Sequence, residues 1–594
     1  MRVAVALLAV CLGAPAGAQT VRVAIDASQA LAAAPPGTTV GVRGDTPPLA
    51  WDRSLPLLLA DGVYTAELAF PAGTGRVAYK VVLDPPGGEA VWEDGADRLL
   101  LPGRMAEDRR AFGAPQTALP ARTVSRRELG QDVALLQSAI EALHPGLRLH
   151  NSDADLDRVL GRLRADVRRS AETHGEAIPL PAAYLPIVRA VAGLRDGHTQ
   201  VSMYNQSAEL SATLYARADR VPFAFRIVGG RMIVTGDATP SGALPAGTEV
   251  LTLDGRPVAD VLDALMPYAS ADGGNDAKRV DQLEVRAAPA PAERFDVIYP
   301  LLFPAEGPLA LAVRNADGAE RHLAVGRTTA DARRAALLAQ DPTRPRTADD
   351  LLHYRLGADG TAVLRIGSFA TFNMDRDYDA WLVEAFQDMA ARGAERLVVD
   401  LRDVAGGMDA AALLLLRHLL RERMQVTPWQ SSTAYDIVPD TLRPHLRSWT
   451  TDFYDLSDRV TAVGDGTFRL PARPPSTVTP APDAFDGPAA VLVDATASSA
   501  TFYLAQQIQQ GGIATLVGQE TGGSLKGLNG GQMAFLTLPH TGITVDLPLF
   551  ASRPPTPGPD RGVTPDIVVA PDADAVIAGR DPEMEAALRH LGQR

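Results

Sequence analysis

Val491-Leu492-Val493-Asp494-Ala495-Thr496-Ala497-Ser498-Ser499-Ala500 is a hydrophobic run that passes into small residues and then into a helical pattern. The run predicts a buried strand followed by a helix. A serine at this junction lies at the helix N-terminus, where free backbone N–H groups and the helix dipole stabilise a developing negative charge. Serine is also an ordinary N-cap residue, so this stretch alone favours capping over catalysis.

Strands and helices alternate on the N-terminal side of this stretch. Residues 362–366 and 396–401 are predicted strands, and residues 378–392 and 408–423 are predicted helices. Alternation of this kind is typical of an α/β core with a largely parallel sheet. We place this core at residues 301–580.

Four segments with different patterns precede the core. Residues 21–103 contain short alternating and β-branched runs separated by Gly and Pro, which predicts a β-sandwich. Residues 104–124 are polar and aperiodic and are predicted to be a linker. Residues 125–215 contain amphipathic helices, and residues 216–300 return to strands. The sequence therefore predicts a multidomain α/β protein.

Composition limits the classes of partner. The 594 residues include 57 Lys and Arg against 71 Asp and Glu, a net charge of −14. An acidic balance argues against nucleic acid and anionic membrane surfaces as partners. Hydrophobic residues make up 46% of the chain, which excludes a wholly disordered protein.

The N-terminus has the form of a secretory signal peptide. Arg2 precedes an apolar run at residues 3–12, and small residues ending in Ala16-Gly17-Ala18 follow it. The run is too short to span a bilayer. We expect residues 1–18 to be removed and the mature chain to be exported, periplasmic or secreted, with no membrane span. Cys11 leaves with this peptide, so no thiol nucleophile or thiolate metal site is expected.

Three more positions supply the side chains of an acyl-transfer site. The paired glycines Gly406 and Gly407 precede a predicted helix and suit an anion-binding turn. His198 lies in a polar loop, and Asp560 lies in a turn rich in Gly and Pro. A serine, a histidine and an acid are the parts of such a site. A tight turn, a surface histidine and a turn hydrogen bond are the plain structural alternatives.

Four blocks in order resemble the C-terminal processing (tail-specific) serine peptidases, and most closely their branch with tricorn-core and interphotoreceptor-retinoid-binding-protein-like members. The resemblance spans roughly residues 125–575. It implies a ClpP/crotonase-like core, a helical cap at 125–215 and a PDZ-like module at 216–300. The blocks are Leu194-Arg195-Asp196-Gly197-His198-Thr199, residues 397–407, residues 496–501 with 513–523, and residues 561–566.

The resemblance implies an exported serine peptidase that cleaves a peptide or protein substrate without metal or cofactor. In this reading Ser499 attacks the peptide carbonyl, His198 takes its proton and Asp560 orients the imidazole. The implied oxyanion hole consists of the backbone N–H groups of Ala500 and of Gly406 or Gly407.

Alternatives to these roles remain open. Ser498 is the second candidate nucleophile, and Glu520 is a competing acid. Relatives of the Ser–Lys type carry their lysine where this chain has Ser524, and Lys526 lies two residues further on. The missing lysine and the doubled serine support a second hypothesis, a catalytically inactive peptidase fold that binds peptide or glycan.

Residues 21–103 also resemble a starch-binding-type carbohydrate module. Trp51 and Trp92 match the aromatic residues that stack on sugar in that family, and Lys80 matches a binding lysine. Asp97 stands where the family has an asparagine. The resemblance implies a glycan partner, and the alternative is that both tryptophans are packed in the core or at its rim.

Overall fold

The computed structural model describes residues 18–71, 74, 77–93, 97–103, 105–113, 122–287, 290, 293–464 and 466–592. The chain divides into two compact units, Met1–Arg122 and Thr123–Arg594, called here the first and second unit. The predicted signal peptide lies outside the described residues except for Ala18. No helix within the described ranges has the length and apolar character needed to cross a bilayer.

The first unit consists of two β-sheets that share one apolar core. One sheet has the order β4-β5-β1-β9, and the other has the order β3-β2-β6-β7 with β8 also paired to β6. Alternate residues such as Val21 and Val23, and Val40 and Val42, are fully buried, as expected for strands with one face on a core. The elements are β1 (Gln19–Asp26), α1 (Ser28–Ala32), β2 (Thr39–Gly44), β3 (Leu55–Pro56), β4 (Leu58–Ala60), β5 (Val63–Phe70), β6 (Val77–Asp84), β7 (Val91–Trp92), β8 (Arg98–Leu100) and β9 (Glu107–Ala111).

The predicted linker at residues 104–124 is wrong in part. Residues 107–111 form strand β9, which pairs in parallel with β1 from Arg22 to Asp26. A short polar strand at a sheet edge buries few side chains and has little apolar alternation, so the pattern of residues 104–124 does not reveal it.

Helices open the second unit. Ser125 and Glu128 form the capping box of α2, because the Ser125 hydroxyl accepts the Glu128 N–H and the Glu128 carboxylate accepts the Ser125 N–H. Ser152 and Asp155 cap α3 in the same way. The elements are β10 (Thr123–Val124), α2 (Arg126–Leu143), α3 (Asp153–His174), β11 (Ile178–Pro179), α4 (Leu180–Ala192) and α5 (Ala208–Leu214).

An antiparallel sheet follows, in the order β12-β13-β14-β16-β17 with β15 paired to β14. The predicted boundary at residue 300 is too early, because β16 pairs with β14 and β17 pairs with β16, and these two strands complete the sheet. The elements are β12 (Phe223–Val228), β13 (Arg231–Asp237), β14 (Glu249–Leu253), β15 (Arg256–Pro257), α6 (Val258–Leu265), α7 (Asp276–Asp281), α8 (Arg294–Leu302), β16 (Leu309–Arg314), β17 (Glu320–Val325) and α9 (Ala330–Gln340).

The remaining elements form the α/β core and a second antiparallel sheet. They are β18 (Leu352–Leu356), β19 (Thr361–Ile366), α10 (Tyr378–Ala391), β20 (Arg396–Asp400), α11 (Asp409–Leu419), β21 (Met424–Val426), β22 (Gln430–Thr433), β23 (Leu446–Arg447), β24 (Thr461–Ala462), β25 (Phe468–Arg469), β26 (Ser476–Val478), β27 (Ala489–Val493), α12 (Ser499–Gln510), β28 (Thr515–Gly518), β29 (Leu528–Thr537), β30 (Thr544–Arg553), β31 (Ile567–Val568), α13 (Ala573–Ile577) and α14 (Pro582–Gly592).

The core sheet has the order β18-β19-β20-β27-β28-β31, and all its pairs except β18–β19 are parallel. Helices α10, α11 and α12 cover one face, and α14 packs on the other. The predicted α/β alternation is confirmed, and the parallel strands bring the loops after β20 and β27 to one edge.

The second antiparallel sheet has the order β23-β29-β30-β22-β25-β24. Gln200 pairs with Asp546 of β30. This pairing brings the loop that carries His198 to the hairpin β29–β30, close to the core.

Candidate active site

Two loops meet at the carboxyl ends of β20 and β27. The buried Asp494 carboxylate accepts the N–H of Asp403 at 3.0 Å and the N–H of Thr496 at 2.9 Å. One side chain therefore connects both loops. Burial, together with the neighbouring charges of Asp403 and Asp281, raises the pKa of Asp494 to about 7.

Ser499 is held in a strained backbone conformation against the other loop. Its φ is +51°, which lies in the left-handed region that residues other than glycine seldom adopt. Gly406 lies so close that a Cβ there would be 2.8 Å from the Ser499 Cβ and 3.3 Å from the Ala500 nitrogen. Ala500 belongs to the first turn of α12, whose amides have no intrahelical partner. The backbone of Gly406 and the first turn of α12 therefore lie next to Ser499.

Ser498 differs from Ser499 in what its hydroxyl contacts. The Ser498 Oγ lies 3.0 Å from the carbonyl oxygens of Ala405 and Thr496. It does not cap α12 through its side chain, so the simple capping interpretation is wrong here. Among the described residues the Ser499 hydroxyl forms no hydrogen bond. Of the two serine hydroxyls, that of Ser499 therefore keeps its full hydrogen-bonding capacity.

His198 and Ser498 line one cavity of about 330 Å³, together with Ala405. The backbone N–H of His198 donates to Asp196 Oδ1 at 2.9 Å. On the side of the ring, a Cβ added at Gly530 would be 3.5 Å from His198 Nε2. The ring nitrogen Nδ1 is buried and has no hydrogen-bond partner among the residues that the structure describes. The imidazole thus lies in the cavity with unused hydrogen-bonding capacity.

Two buried carboxylates accompany His198. Asp196, Asp272 and His198 each place one polar atom within 4.8 Å of the others. Asp196 is fully bonded, because its Oδ2 lies 2.7 Å from His144 Nε2 and accepts the Thr199 hydroxyl at 2.5 Å. Burial would raise the pKa of Asp196, but His144 and His198 hold it well below its usual value.

Asp272 is the less satisfied carboxylate. It accepts the N–H of Gly197 at 3.0 Å. Burial and the charge of Asp196 raise its pKa. Sequence reasoning missed this residue, because Asp272-Gly273-Gly274-Asn275 has the composition of an ordinary turn.

Asp560, predicted to orient His198, has other neighbours. One of its oxygens lies 2.8 Å from His150 Nδ1 and accepts the Ser524 hydroxyl at 3.0 Å. Lys526 Nζ lies 3.9 Å from the other oxygen. Burial acts to raise the pKa of Asp560, but His150, Ser524 and Lys526 together lower it. No contact with His198 is recorded among the described residues.

The remaining candidate acid, Glu520, is engaged elsewhere. Its carboxylate pairs with Arg561 and accepts the N–H of Gly562 at 3.1 Å.

A second group of carboxylates lies beside the two loops. Asp281, Asp403 and Asp494 place oxygens within 4.8 Å of one another. Arg286 pairs with Asp281 and lies 2.7 Å from Asp403, and Arg365 lies 2.9 Å from Asp403, so two guanidinium groups offset part of the charge of this group.

The first unit has an aromatic pair on its surface. Trp51 and Trp92 are 38% and 41% exposed, so neither is buried in the core. Their ring centroids are 6.2 Å apart, and the Arg43 guanidinium lies 5.0 Å from the Trp92 centroid. Lys80 Nζ donates to the Glu93 carbonyl at 3.1 Å, and Asp97 is exposed.

The sequence of the α/β core matches the profile of peptidase family S41 over residues 360–569. These residues are a peptidase family S41 domain. Its members are serine peptidases, which are hydrolases. The S41 domain contains Ser499 and Gly406, whereas His198 and Asp272 lie outside it. No curated protein matches the chain in sequence.

Solved structures similar to the chain include three peptidases. Mature CPAF complexed with lactacystin has a TM-score of 0.51 at 16% identity, covering 78% of this chain and 98% of that one. The photosystem II D1 C-terminal processing protease has a TM-score of 0.34 at 16% identity, and the match covers 76% of this chain and 96% of that one. The tricorn protease has a TM-score of 0.33 at 12% identity, and the match covers 89% of this chain and 42% of that one. Of these three, CPAF shows a shared fold.

Proposed function

We propose that the second unit hydrolyses peptide bonds with Ser499 as nucleophile and His198 as general base. The observation that carries this proposal is the strained Ser499 at the junction of two loops. Its positive φ and the close approach of Gly406 cost folding free energy, and the need to cap a helix does not explain that cost.

In the proposed reaction the Ser499 Oγ attacks the peptide carbonyl carbon while His198 takes the hydroxyl proton. The negative oxygen binds the backbone N–H groups of Ala500 and of Gly406 or Gly407. The C–N bond breaks as His198 returns the proton to the leaving amine. Water then attacks the ester, gives a proton to His198, and releases the acid product and free Ser499.

Two aspartates compete for the role that orients His198. We propose Asp272, because one of its oxygens lies within 4.8 Å of a His198 nitrogen. Asp196 meets the same distance, but its oxygens already bond His144, Thr199 and the backbone of His198. Catalytic hydrogen bonds are often long before substrate binds, so this separation suits a site awaiting substrate. Asp560 remains the prediction from the resemblance, and its recorded partners are His150 and Ser524.

Labelling with a fluorophosphonate probe tests the nucleophile. We expect the wild type and Ser498→Ala to be labelled and Ser499→Ala to be unlabelled, because the probe reacts only with an activated serine hydroxyl. Ser498→Ala is the matched control, since it removes a neighbouring hydroxyl on the same helix end. Equal labelling of Ser499→Ala and the wild type would contradict the proposal.

The finer expectations of the resemblance belong to the same proposal. We propose that the enzyme is exported after removal of residues 1–18 and belongs to the tricorn-like branch, in which a histidine is the base. We also propose that the fold is ClpP/crotonase-like, with the α2–α4 region as a cap, the β12–β17 sheet as a PDZ-like module and the first unit as a β-sandwich. The alternative of an inactive fold is not favoured, because family S41 consists of serine peptidases.

For the first unit we propose glycan binding as a second function. The exposed pair Trp51 and Trp92 supports it, because aromatic faces stack on sugar rings. Affinity electrophoresis in gels containing soluble starch or peptidoglycan fragments tests it. We expect retardation of the wild type, its loss in Trp92→Ala, and no change in Trp449→Ala, which alters an exposed tryptophan of the second unit. Equal mobility of all three with and without glycan would contradict it.

A further inference from the structure

The carboxylate that connects the two loops at the active site takes no part in the reaction scheme. Asp494 is the first residue after β27 and is 4% exposed. Residues 494–499 are called here the nucleophile loop, and residues 401–407 the glycine loop. Asp494 Oδ1 accepts the Thr496 N–H, and its Oδ2 accepts the Asp403 N–H. Each carboxylate oxygen therefore bonds one of the two loops.

Both bonds lie close in sequence to the reacting part of their loop. Thr496 precedes Ser499 by three residues, and Asp403 precedes Gly406 by three residues. The loops also meet directly, because a Cβ at Gly406 would be 2.8 Å from the Ser499 Cβ. A displacement of either loop at Asp494 therefore changes the contact between Gly406 and Ser499.

Asp403, the partner of Asp494 on the glycine loop, has an unfavourable backbone conformation. Its φ is +65°, in the left-handed region that residues other than glycine seldom adopt. Such a residue persists only where its surroundings hold it. Asp494 accepts the N–H of Asp403, while Arg286 and Arg365 lie 2.7 Å and 2.9 Å from its carboxylate. The glycine loop is thus held at this residue through both its backbone and its side chain.

The position of Asp494 is unfavourable for a carboxylate. Burial and the charges of Asp403 and Asp281 raise its pKa to about 7, although Arg286 and the Asp403 N–H act against this shift. The ionised side chain therefore destabilises the folded state relative to a neutral one. Carboxylates with such raised pKa values are concentrated at functional sites.

We propose that Asp494 is a positioning residue that sets the geometry of the oxyanion hole. The proposed hole takes N–H groups from both loops, Ala500 from one and Gly406 or Gly407 from the other. Two donors stabilise the same oxygen only when both reach it at hydrogen-bond length, so the spacing of the loops controls the rate. Asp494 fixes that spacing without touching the substrate. The inference rests on the proposed function and adds a residue to it.

The substitution Asp494→Asn tests this role with little change in shape. A carboxylate accepts hydrogen bonds at both oxygens, whereas an amide accepts at its oxygen and carries N–H donors on the other side. One of the two loop contacts is therefore lost. The matched control is Asp237→Asn at the end of β13, because the buried Asp237 also accepts two backbone N–H groups, those of Thr239 and Leu244, each at 2.7 Å.

The rate of fluorophosphonate labelling measures the effect without a known substrate. The phosphoryl oxygen of the probe needs the same donors as the peptide oxygen. We expect the second-order rate constant to fall about 10- to 100-fold in Asp494→Asn and to stay within about threefold of the wild type in Asp237→Asn. Near-UV circular dichroism checks that both variants are folded. A wild-type rate in folded Asp494→Asn would overturn the inference.

Steady-state kinetics with a fluorogenic peptide that the wild type cleaves distinguish positioning from a purely structural role. We expect kcat of Asp494→Asn to fall about 10- to 100-fold with KM within about threefold, because the oxyanion hole acts in the transition state. A structural role predicts instead that kcat falls only with the folded fraction. Equal losses of kcat in Asp494→Asn and Asp237→Asn would therefore overturn the inference.

A second variant covers the case in which Asp494→Asn does not fold. Asp494→Ser places one smaller polar oxygen at the site, which cannot bond both loops, so the same fall in labelling rate is expected. A wild-type rate in folded Asp494→Ser would overturn the role of Asp494 and leave the proposed function intact. Failure of the wild type to react with the fluorophosphonate would instead overturn the proposed function.

Discussion

Two histidine–aspartate pairs lie close together in the second unit, and they differ in geometry and exposure. His150 is buried and lies 2.8 Å from Asp560. His198 is half-buried, lines the cavity, and has an oxygen of Asp272 within 4.8 Å. His198, and not His150, is among the residues that line the cavity with Ser498. The distance between a histidine and an aspartate therefore does not by itself show which pair faces that cavity.

The carboxylates of the two pairs also have pKa shifts of opposite direction. Burial and Asp196 raise the pKa of Asp272, while His150, Ser524 and Lys526 lower that of Asp560 against the effect of burial. The ionised Asp272 therefore destabilises the folded state, whereas the ionised Asp560 stabilises it. A group whose charge costs stability is more often retained for function than for folding.

Replacing each histidine should separate the pairs most strongly. We expect His198→Ala to lower kcat for a cleaved peptide by about 10³- to 10⁴-fold, because general-base catalysis is lost. His150→Ala should change kcat less than about fivefold while it lowers the thermal midpoint, since a buried polar contact is broken. Steady-state kinetics on both folded variants measure this, and a larger loss in His150→Ala would reverse the assignment.

Replacing each aspartate by asparagine should have the next largest effect on catalysis. We expect Asp272→Asn to lower kcat/KM by about 10²-fold, because the imidazole loses the charge that orients and stabilises it. Asp560→Asn should change kcat/KM less than about threefold. If Asp560→Asn proves to be the more damaging substitution, the orienting acid is the one that the resemblance implies.

The same two variants should move stability in opposite directions at pH 7. We expect Asp272→Asn to raise the unfolding free energy by about 1 kcal/mol, because the folded pKa is raised and ionisation has a cost that grows as pH rises above 3.8. Asp560→Asn should lower it by about 0.5 kcal/mol, a small value because the carboxylate is 36% exposed. The Asp560 contribution should disappear as pH falls below 3.8 through its lowered folded pKa.

Urea unfolding of the wild type and both variants between pH 3 and pH 8 measures these changes. Shifts of the same sign in the two variants at pH 7 would show that the carboxylates do not differ as described.

The smallest effect is expected at Lys526. Its Nζ lies 3.9 Å from Asp560 and its side chain is 41% exposed, so Lys526→Met should change the unfolding free energy by less than about 0.5 kcal/mol and leave kcat/KM within about twofold. A loss of activity on the scale of His198→Ala would make Lys526 the base of a Ser–Lys site.

The α/β core was predictable because its signal is local. The strands at 396–400 and 489–493 are continuous apolar runs, as strands buried on both faces must be. The early boundary at residue 300 and the linker at 104–124 failed for the opposite reason. Strands β16 and β9 are defined by pairing with partners distant in sequence, which no local pattern contains.

The site was predictable only in part. Ser499, Gly406 and His198 stand in recognisable blocks, and the structure brings Gly406 against Ser499 and His198 into a cavity with Ser498. Asp272 belongs to a turn with no chemical signature. Its place in the cavity follows from the packing of this segment on the core, where Asn275 donates to the Thr521 carbonyl at 2.8 Å.

The sequence by itself determined the α/β class, the strand-to-helix junction at Ser499 and the candidate histidine. Each of these can be recognised from the spacing of apolar residues and the residue types within a short stretch of the chain. Only the tertiary structure decided which carboxylates lie beside His198 and which of the two serine hydroxyls forms hydrogen bonds with the protein. Those are distances between segments far apart in the chain, and they are set by how the sheets and loops pack, which no single stretch encodes.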